Sequence, residues 1–228
     1  MNLPIEILIV LLVWGTFVGV DLVSLPQMMI ARPLVAGTVA GAILGDIPTG
    51  IKLGVVFELL QYDILPVGAV RYPEYGPATV AAVATAHAST GVLGLGLGAL
   101  VGLVTGLAGG IAINVLRRVN SRIVHAAGPA LESGDPRALV RVHVGGLLRD
   151  ALRAALVTAL GLLLAWLARP LLGGVVSVRG ALLLAVATVA AALAAGAAGT
   201  LRLVGRGSTL AWFAAGLGGG IVAAVWLR

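Results

Sequence analysis

Residues 75–116 form an unbroken run without Asp, Glu, Lys or Arg. At about 1.5 Å of rise per helical residue the run is about 60 Å long, twice the roughly 30 Å of a bilayer's hydrocarbon core. It reads as two membrane spans or a hairpin. The rest of the chain agrees: 60% of its 228 residues are hydrophobic and 11% are charged, against about a quarter charged in a water-soluble domain. A soluble enzyme is excluded. Three further uncharged runs, 154–168 (short), 180–201 and 208–227, each lie between arginines and read as spanning helices. The fold class is therefore all-α, a polytopic membrane protein with about five spanning helices beyond its N-terminal third.

That first third is different. Its apolar pieces, 7–20, 34–45 and 53–57, are too short to span and are interrupted by Pro26, Pro33, Pro48, Pro66 and charged residues. Interruptions of this kind predict broken or re-entrant helices, tolerated in lipid only where the freed backbone is buried in protein or lines a cavity. Met1 to Glu6 carries no positive charge and no small-residue cleavage site follows, so the first apolar run is expected to stay with the chain rather than act as a cleaved signal.

The formal net charge of +6 would suggest nucleic acid in a soluble chain, but 14 of the 15 basic residues are Arg, set mostly between apolar runs. Positive-inside topology accounts for that, and no nucleic-acid partner is expected. Arg117, Arg118, Arg122, Arg137, Arg141, Arg149 and Arg153 cluster between two uncharged runs, which assigns this connection to the cytoplasmic side. Its flanks read as short amphipathic helices lying at the membrane surface, with lipid as a partner. Four segments follow: 1–77, broken and substrate-lining; 78–116, a Gly-rich membrane hairpin; 117–153, the Arg-rich cytoplasmic connection; and 154–228, the C-terminal membrane helices. Gly94, Gly98, Gly102, Gly106 and Gly110 recur every four residues, as do Gly37, Gly41 and Gly45. Such stripes of small residues let backbones approach closely, so they read as packing faces. A phosphate-binding glycine loop is excluded because neither a dinucleotide fingerprint nor a Walker A pattern occurs.

An ionisable side chain at the bilayer centre costs at least about 2.5–3.5 kcal/mol, which makes membrane-embedded polar residues functional candidates. The first 74 residues concentrate them: Asp21, Gln27, Arg32, Asp46, Lys52, Glu58, Gln61, Asp63 and Glu74. Carboxylates and amides in a cavity would hydrogen-bond vicinal hydroxyls, and Tyr62, Tyr72 or Tyr75 would stack on a sugar ring. Plainer roles compete. Asp46, after Gly45 and before Ile47-Pro48, suits a helix cap; Lys52 suits snorkelling to the interface; and Arg32, before Pro33, suits an ion pair between two broken segments. Glu58 is the strongest candidate, since it follows an apolar stretch with no basic residue nearer than Lys52. His87 suits an interhelical hydrogen bond, while His125 and His143 suit capping or interfacial places. The chain has no Cys and no metal-binding or nucleophile motif, so no metal, no cofactor and no enzymatic activity of its own are expected.

The string from Asp21 and Ser24 through Gln27, Arg32-Pro33 and Gly45-Asp46, followed by Thr49-Gly50, Glu58 and Pro66 to Ala69, resembles the IIC subunit of the mannose, fructose and sorbose family of the bacterial phosphotransferase system. His125, Val142-His143, Leu147-Leu148, Ala151 to Arg153 and the stretch 202–213 are similar to the later parts of those proteins. The resemblance implies a multi-pass subunit of the bacterial cytoplasmic (inner) membrane that forms a hexose pathway with a IID subunit. Separate IIA and IIB proteins would carry phosphate and phosphorylate the sugar as it enters, at the expense of phosphoenolpyruvate. Carried over by position, Asp21, Gln27, Glu58 and Glu74 are the implied substrate-binding residues, with Arg32, Asp46 and Lys52 as structural or supporting ones. Association into a homo-oligomer stays open. Two other readings also remain open at the level of residues: a non-transporting scaffold or regulator with the same fold, and an ion-coupled transporter using Asp21 or Glu58.

Overall fold

The computed structural model describes residues 3–62, 64, 70–87, 91–168, 170 and 177–203, the last helix with side chains to residue 197. Helix α1 (Ile5–Asp21) is followed by a loop and then by α2 (Pro33–Leu44) and α3 (Ile47–Gln61), which form a tight hairpin. The local sequence explains the reversal. Pro33 and Pro48 sit in the first turns of α2 and α3, where no N–H is needed. Gly45 ends α2 in the left-handed region at φ 73°, and the Asp46 N–H returns to Gly41 O at 2.7 Å. The Asp46 carboxylate then accepts the Thr49 N–H at 3.2 Å, so Asp46 is the cap expected of it.

With 12 and 15 residues, the two arms are about 18 and 22 Å long, too short to cross a bilayer singly. They enter and return on the same side. A Cβ on Gly50 would lie 2.3 Å from Gly37 O, so these two glycines set how closely the arms approach.

Helix α4 (Tyr75–His87) is the central post: every residue from Tyr75 to Ala86 is buried, among α1, α2, α3, α5 and α7. Against it run α5 (Gly91–Ala126) and α7 (Pro136–Ala168), with the short α6 (Gly128–Glu132) between them, and α8 (Val178–Leu203) packs on α5 and α3. These three long helices are apolar and long enough to cross a membrane by length and composition. The run 75–116 thus resolves into one short buried helix and most of a 36-residue one. The expected span at 208–227, together with Asp63 and Pro66 to Ala69, lies outside the described residues.

One expectation is corrected. The flanks of the Arg-rich connection are not separate surface helices; they are the continuous ends of α5 and α7, and only α6 stands alone. No Pro or Gly interrupts residues 111–127, and Arg is a good helix former, so nothing stops α5 at the membrane boundary. The glycine stripe of α5 packs inward as expected: a Cβ on Gly98 would lie 2.6 Å from Ala82 O, one on Gly102 2.4 Å from the Phe57 ring, and one on Gly110 2.3 Å from Tyr72 O.

Candidate functional site

Four chain ends meet at one level of the molecule: the C-terminus of α1, the open ends of the α2–α3 hairpin, and the extended stretch leading into α4. Asp21 closes α1 and is 3% exposed. Its two carboxylate oxygens accept the backbone N–H groups of Met28 at 2.7 Å and Ala31 at 3.0 Å. The loop these bonds hold contains the cis Leu25–Pro26 peptide, and Gln27 and Met29 both at positive φ, 58° and 65°. Left-handed backbone at such residues costs about 1–3 kcal/mol each, which the Asp21 contacts help to offset.

The result is a cavity of about 270 Å³ lined by Asp21, Gln27, Arg32, Gln61 and Tyr62, with Met29, Ile64 and nearby aliphatic groups. Gln27 is exposed and without a hydrogen-bond partner among the described residues, Gln61 is buried at the end of α3, and Tyr62 is exposed. Arg32 pairs with Glu58 across the open end of the hairpin. Glu58 also accepts the Leu34 N–H at 3.1 Å, which places a carboxylate at the N-terminus of α2, where the helix dipole favours it. The arrangement offers two amides, a carboxylate, a guanidinium and one aromatic ring around a small volume. Such donors and acceptors suit a neutral polyhydroxylated ligand rather than an ion.

Glu74, expected beside the other acids, lies elsewhere. It is fully buried just before α4 and pairs with Arg153 of α7. Arg153 also donates from Nε to Asp150 at 2.8 Å and from Nη2 to Gly19 O at 2.9 Å, while the Ser24 hydroxyl donates to the other Asp150 oxygen. This chain of contacts ties α1, the loop, α4 and α7 together. Glu74 cannot reach the Gln27 cavity because Arg153 and Gly109 enclose its carboxylate. Lys52 is exposed on the α8 side of α3, away from the cavity, and Asp46 is at the hairpin's closed tip. Of the tyrosines only Tyr62 lines the cavity: Tyr75 packs on Phe57 with ring centroids 5.6 Å apart, and Tyr72 lies under the Arg117 guanidinium. His87 ends α4 without a hydrogen-bond partner among the described residues. His125 Nδ1 lies 2.7 Å from Ser121 O near the end of α5.

The family model for the PTS system sorbose-specific IIC component matches residues 5–224. The chain belongs to that family. Among the relatives of this IIC-family chain, the mannose-specific EIIC component of Escherichia coli strain K12 is 29% identical over 58% of this chain and 49% of its own length. The fructose permease IIC component of Bacillus subtilis strain 168 is 30% identical over 66% of this chain and 55% of its own length. The chain spans about half the length of the curated relatives it matches. Two solved structures share the fold at 20% identity. One, described as a membrane protein, has a TM-score of 0.71 over 99% of this chain and 96% of its own. The other, the mannose transporter ManYZ in complex with microcin E492, has a TM-score of 0.54 over 100% and 96%.

Within this IIC-family chain, sequence reasoning missed Asp150, Arg153 and Ser24, because the first two sit at the end of an arginine cluster that reads as solvated. Their spacing of three, which puts them on one helix face, was the available signal. Gln61 and Tyr62 carried a polar signal of their own, one helical turn beyond Glu58.

Proposed function

We propose that the chain is the IIC sugar-permease subunit of a phosphoenolpyruvate-dependent phosphotransferase system and forms a hexose pathway together with a IID subunit. Family membership supports this reading over a scaffold or an ion-coupled carrier. The observation that carries it is the polar cavity at the meeting of α1, α2 and α3, a concentration of hydrogen-bonding groups in a chain otherwise built to face lipid. In this reading Gln27 donates to and accepts from ring hydroxyls, Asp21 and Arg32 supply charge-assisted bonds, and Tyr62 covers an apolar ring face. Glu58 acts by orienting Arg32, and Glu74 by holding α4 against α7. Chemistry on the sugar belongs to separate IIA and IIB phosphocarrier proteins, and this chain contributes binding and passage.

The test is uptake of labelled hexoses in cells expressing the chain with its IID, IIA and IIB candidates, wild type against Gln27→Ala. Gln27 is exposed and makes no hydrogen bond among the described residues, so assembly is expected to survive while uptake at low sugar concentration falls roughly fivefold, the loss of about 1 kcal/mol of hydrogen bonding. Unchanged uptake would move the sugar out of this cavity.

A further inference from the structure

On the other side of the loop that carries Gln27 lies a second cavity, of about 400 Å³, between the extended ends of α5 and α7. Its lining includes Arg117 and Asn120 of α5, His143, Arg149 and Asp150 of α7, and Ser24 of the loop. The charges are unbalanced. Asp150, the acid in the lining, is already satisfied: one oxygen accepts from Arg153 and the other from Ser24. Arg117 spends its two terminal nitrogens on Val70 O at 2.9 Å and the Tyr72 hydroxyl at 3.1 Å, and has no acidic partner among the described residues. Among the described residues Arg149 donates only through Nε, to Asn120 Oδ1 at 2.7 Å, and its terminal nitrogens have no partner there. That bond orients the Asn120 amide with its NH₂ group free of other partners among the described residues.

We propose that this cavity binds a phosphate ester. Donors converge from two helices on one volume: the Arg149 fork, the Asn120 amide and one His143 ring nitrogen, within the field of Arg117. Three kinds of donor from two helices match the several oxygens of a tetrahedral phosphate, whereas a planar carboxylate would need the fork alone. The volume falls within the roughly 300–1,000 Å³ of small-molecule clefts. Two sources share this chemistry, a soluble sugar phosphate and an anionic lipid headgroup. The sugar phosphate rests on the transport reading above; the phosphate recognition does not. Because Ser24 lines this cavity and Gln27 the other, a phosphate here is one short loop away from the hexose.

The experiment uses the purified full chain in phosphatidylcholine nanodiscs, titrated calorimetrically with mannose 6-phosphate, inorganic phosphate, mannose and succinate. Wild type is expected to bind the two phosphates more tightly than succinate. Arg149→Gln removes the fork, and Asn120→Asp keeps the acceptor for Arg149 while replacing the free donor with an anion. Each is expected to raise the dissociation constant for phosphate about ten- to 100-fold, with Arg149→Lys intermediate and the exposed Arg137→Gln unchanged. Nanodiscs containing phosphatidylglycerol distinguish the sources. If that lipid is retained and excludes mannose 6-phosphate, the occupant is a lipid headgroup; if mannose 6-phosphate binds regardless, it is a soluble ester. Absence of both kinds of binding in a monodisperse protein, succinate binding as tightly as phosphate, or equal effects of Arg137→Gln and Arg149→Gln would overturn the site. Binding of mannose alone reports on the Gln27 cavity, so failure of the transport reading is scored separately.

Discussion

Arg153 faces two carboxylates, Glu74 and Asp150, each essentially removed from solvent. Losing the arginine and losing one acid are not equivalent. Arg153→Gln leaves both carboxylates buried without a countercharge, and breaking a buried pair from one side typically costs about 3–5 kcal/mol. Glu74→Gln removes one acid and leaves Arg153 balanced by Asp150, so its cost is expected to be well under that. Thermal unfolding of the purified chain checks the ordering, and equal melting temperatures for the two variants would dismiss the network as a structural element. Asp21 poses a similar question at smaller scale. Asp21→Asn keeps one acceptor oxygen where the native carboxylate uses two, for Met28 and Ala31. Release of the left-handed loop is expected to displace Gln27 and weaken the proposed hexose binding roughly fivefold or more, with little loss of global stability, because residues 25–29 of the loop are exposed. A binding titration beside a melting curve separates these outcomes.

Helix-level features show what a linear reading reaches. The α2–α3 reversal was legible because its signals are local: glycine, aspartate and proline within four residues dictate a stop, a cap and a restart. The glycine stripe of α5 was legible because a period of four marks one face whatever packs there. Helix continuity through the arginines was not, since membrane-boundary reasoning weighs charge where the backbone responds only to propensity and breakers. Nor was the Arg32–Glu58 pair fully legible: a role for Arg32 in joining broken segments could be stated, but a separation of 26 positions hid which acid it meets. The stripe supplies a test at this scale. Gly102→Leu would drive its side chain into Phe57, whose ring lies 2.4 Å from the first added atom, and overpacking of this kind costs about 1–3 kcal/mol or more. Val104→Leu, at a position 47% exposed, is expected to be neutral. Adding Phe57→Ala to Gly102→Leu should recover part of the loss, a coupling that non-contacting residues would not show.

Seen as a whole, the molecule has a polar end and an apolar end. The polar end gathers both cavities, the Arg153 network and the extended tips of α5 and α7. At the other end, Leu3, Ile5 and Leu8 of the N-terminal region meet Leu162 and Trp166 near the end of α7. Helix α1 runs from this apolar end to Asp21, and α7 runs back toward it from the arginines, so Glu6 and Ser133 belong to opposite ends of the bundle. Seven arginines against Glu132, Asp135 and Asp150 in residues 117–153 predict that the polar end faces the cytoplasm under the positive-inside rule, which counts Lys and Arg near span ends and gives acids little weight. The orientation matters for function, because it would open the second cavity toward the compartment where phosphate esters and phosphocarrier proteins are found. The chain contains no cysteine, and both Glu6 and Ser133 are exposed, so a single introduced thiol reports its own side. Glu6→Cys is expected to react with an impermeant maleimide in intact cells, and Ser133→Cys only after permeabilisation. The reverse pattern would invert the topology and place both cavities at the outer surface. A phosphate site on the α5–α7 tips would then have no cytoplasmic ligand to serve, so the labelling result constrains the reading of the second cavity as well as the direction of the proposed transport.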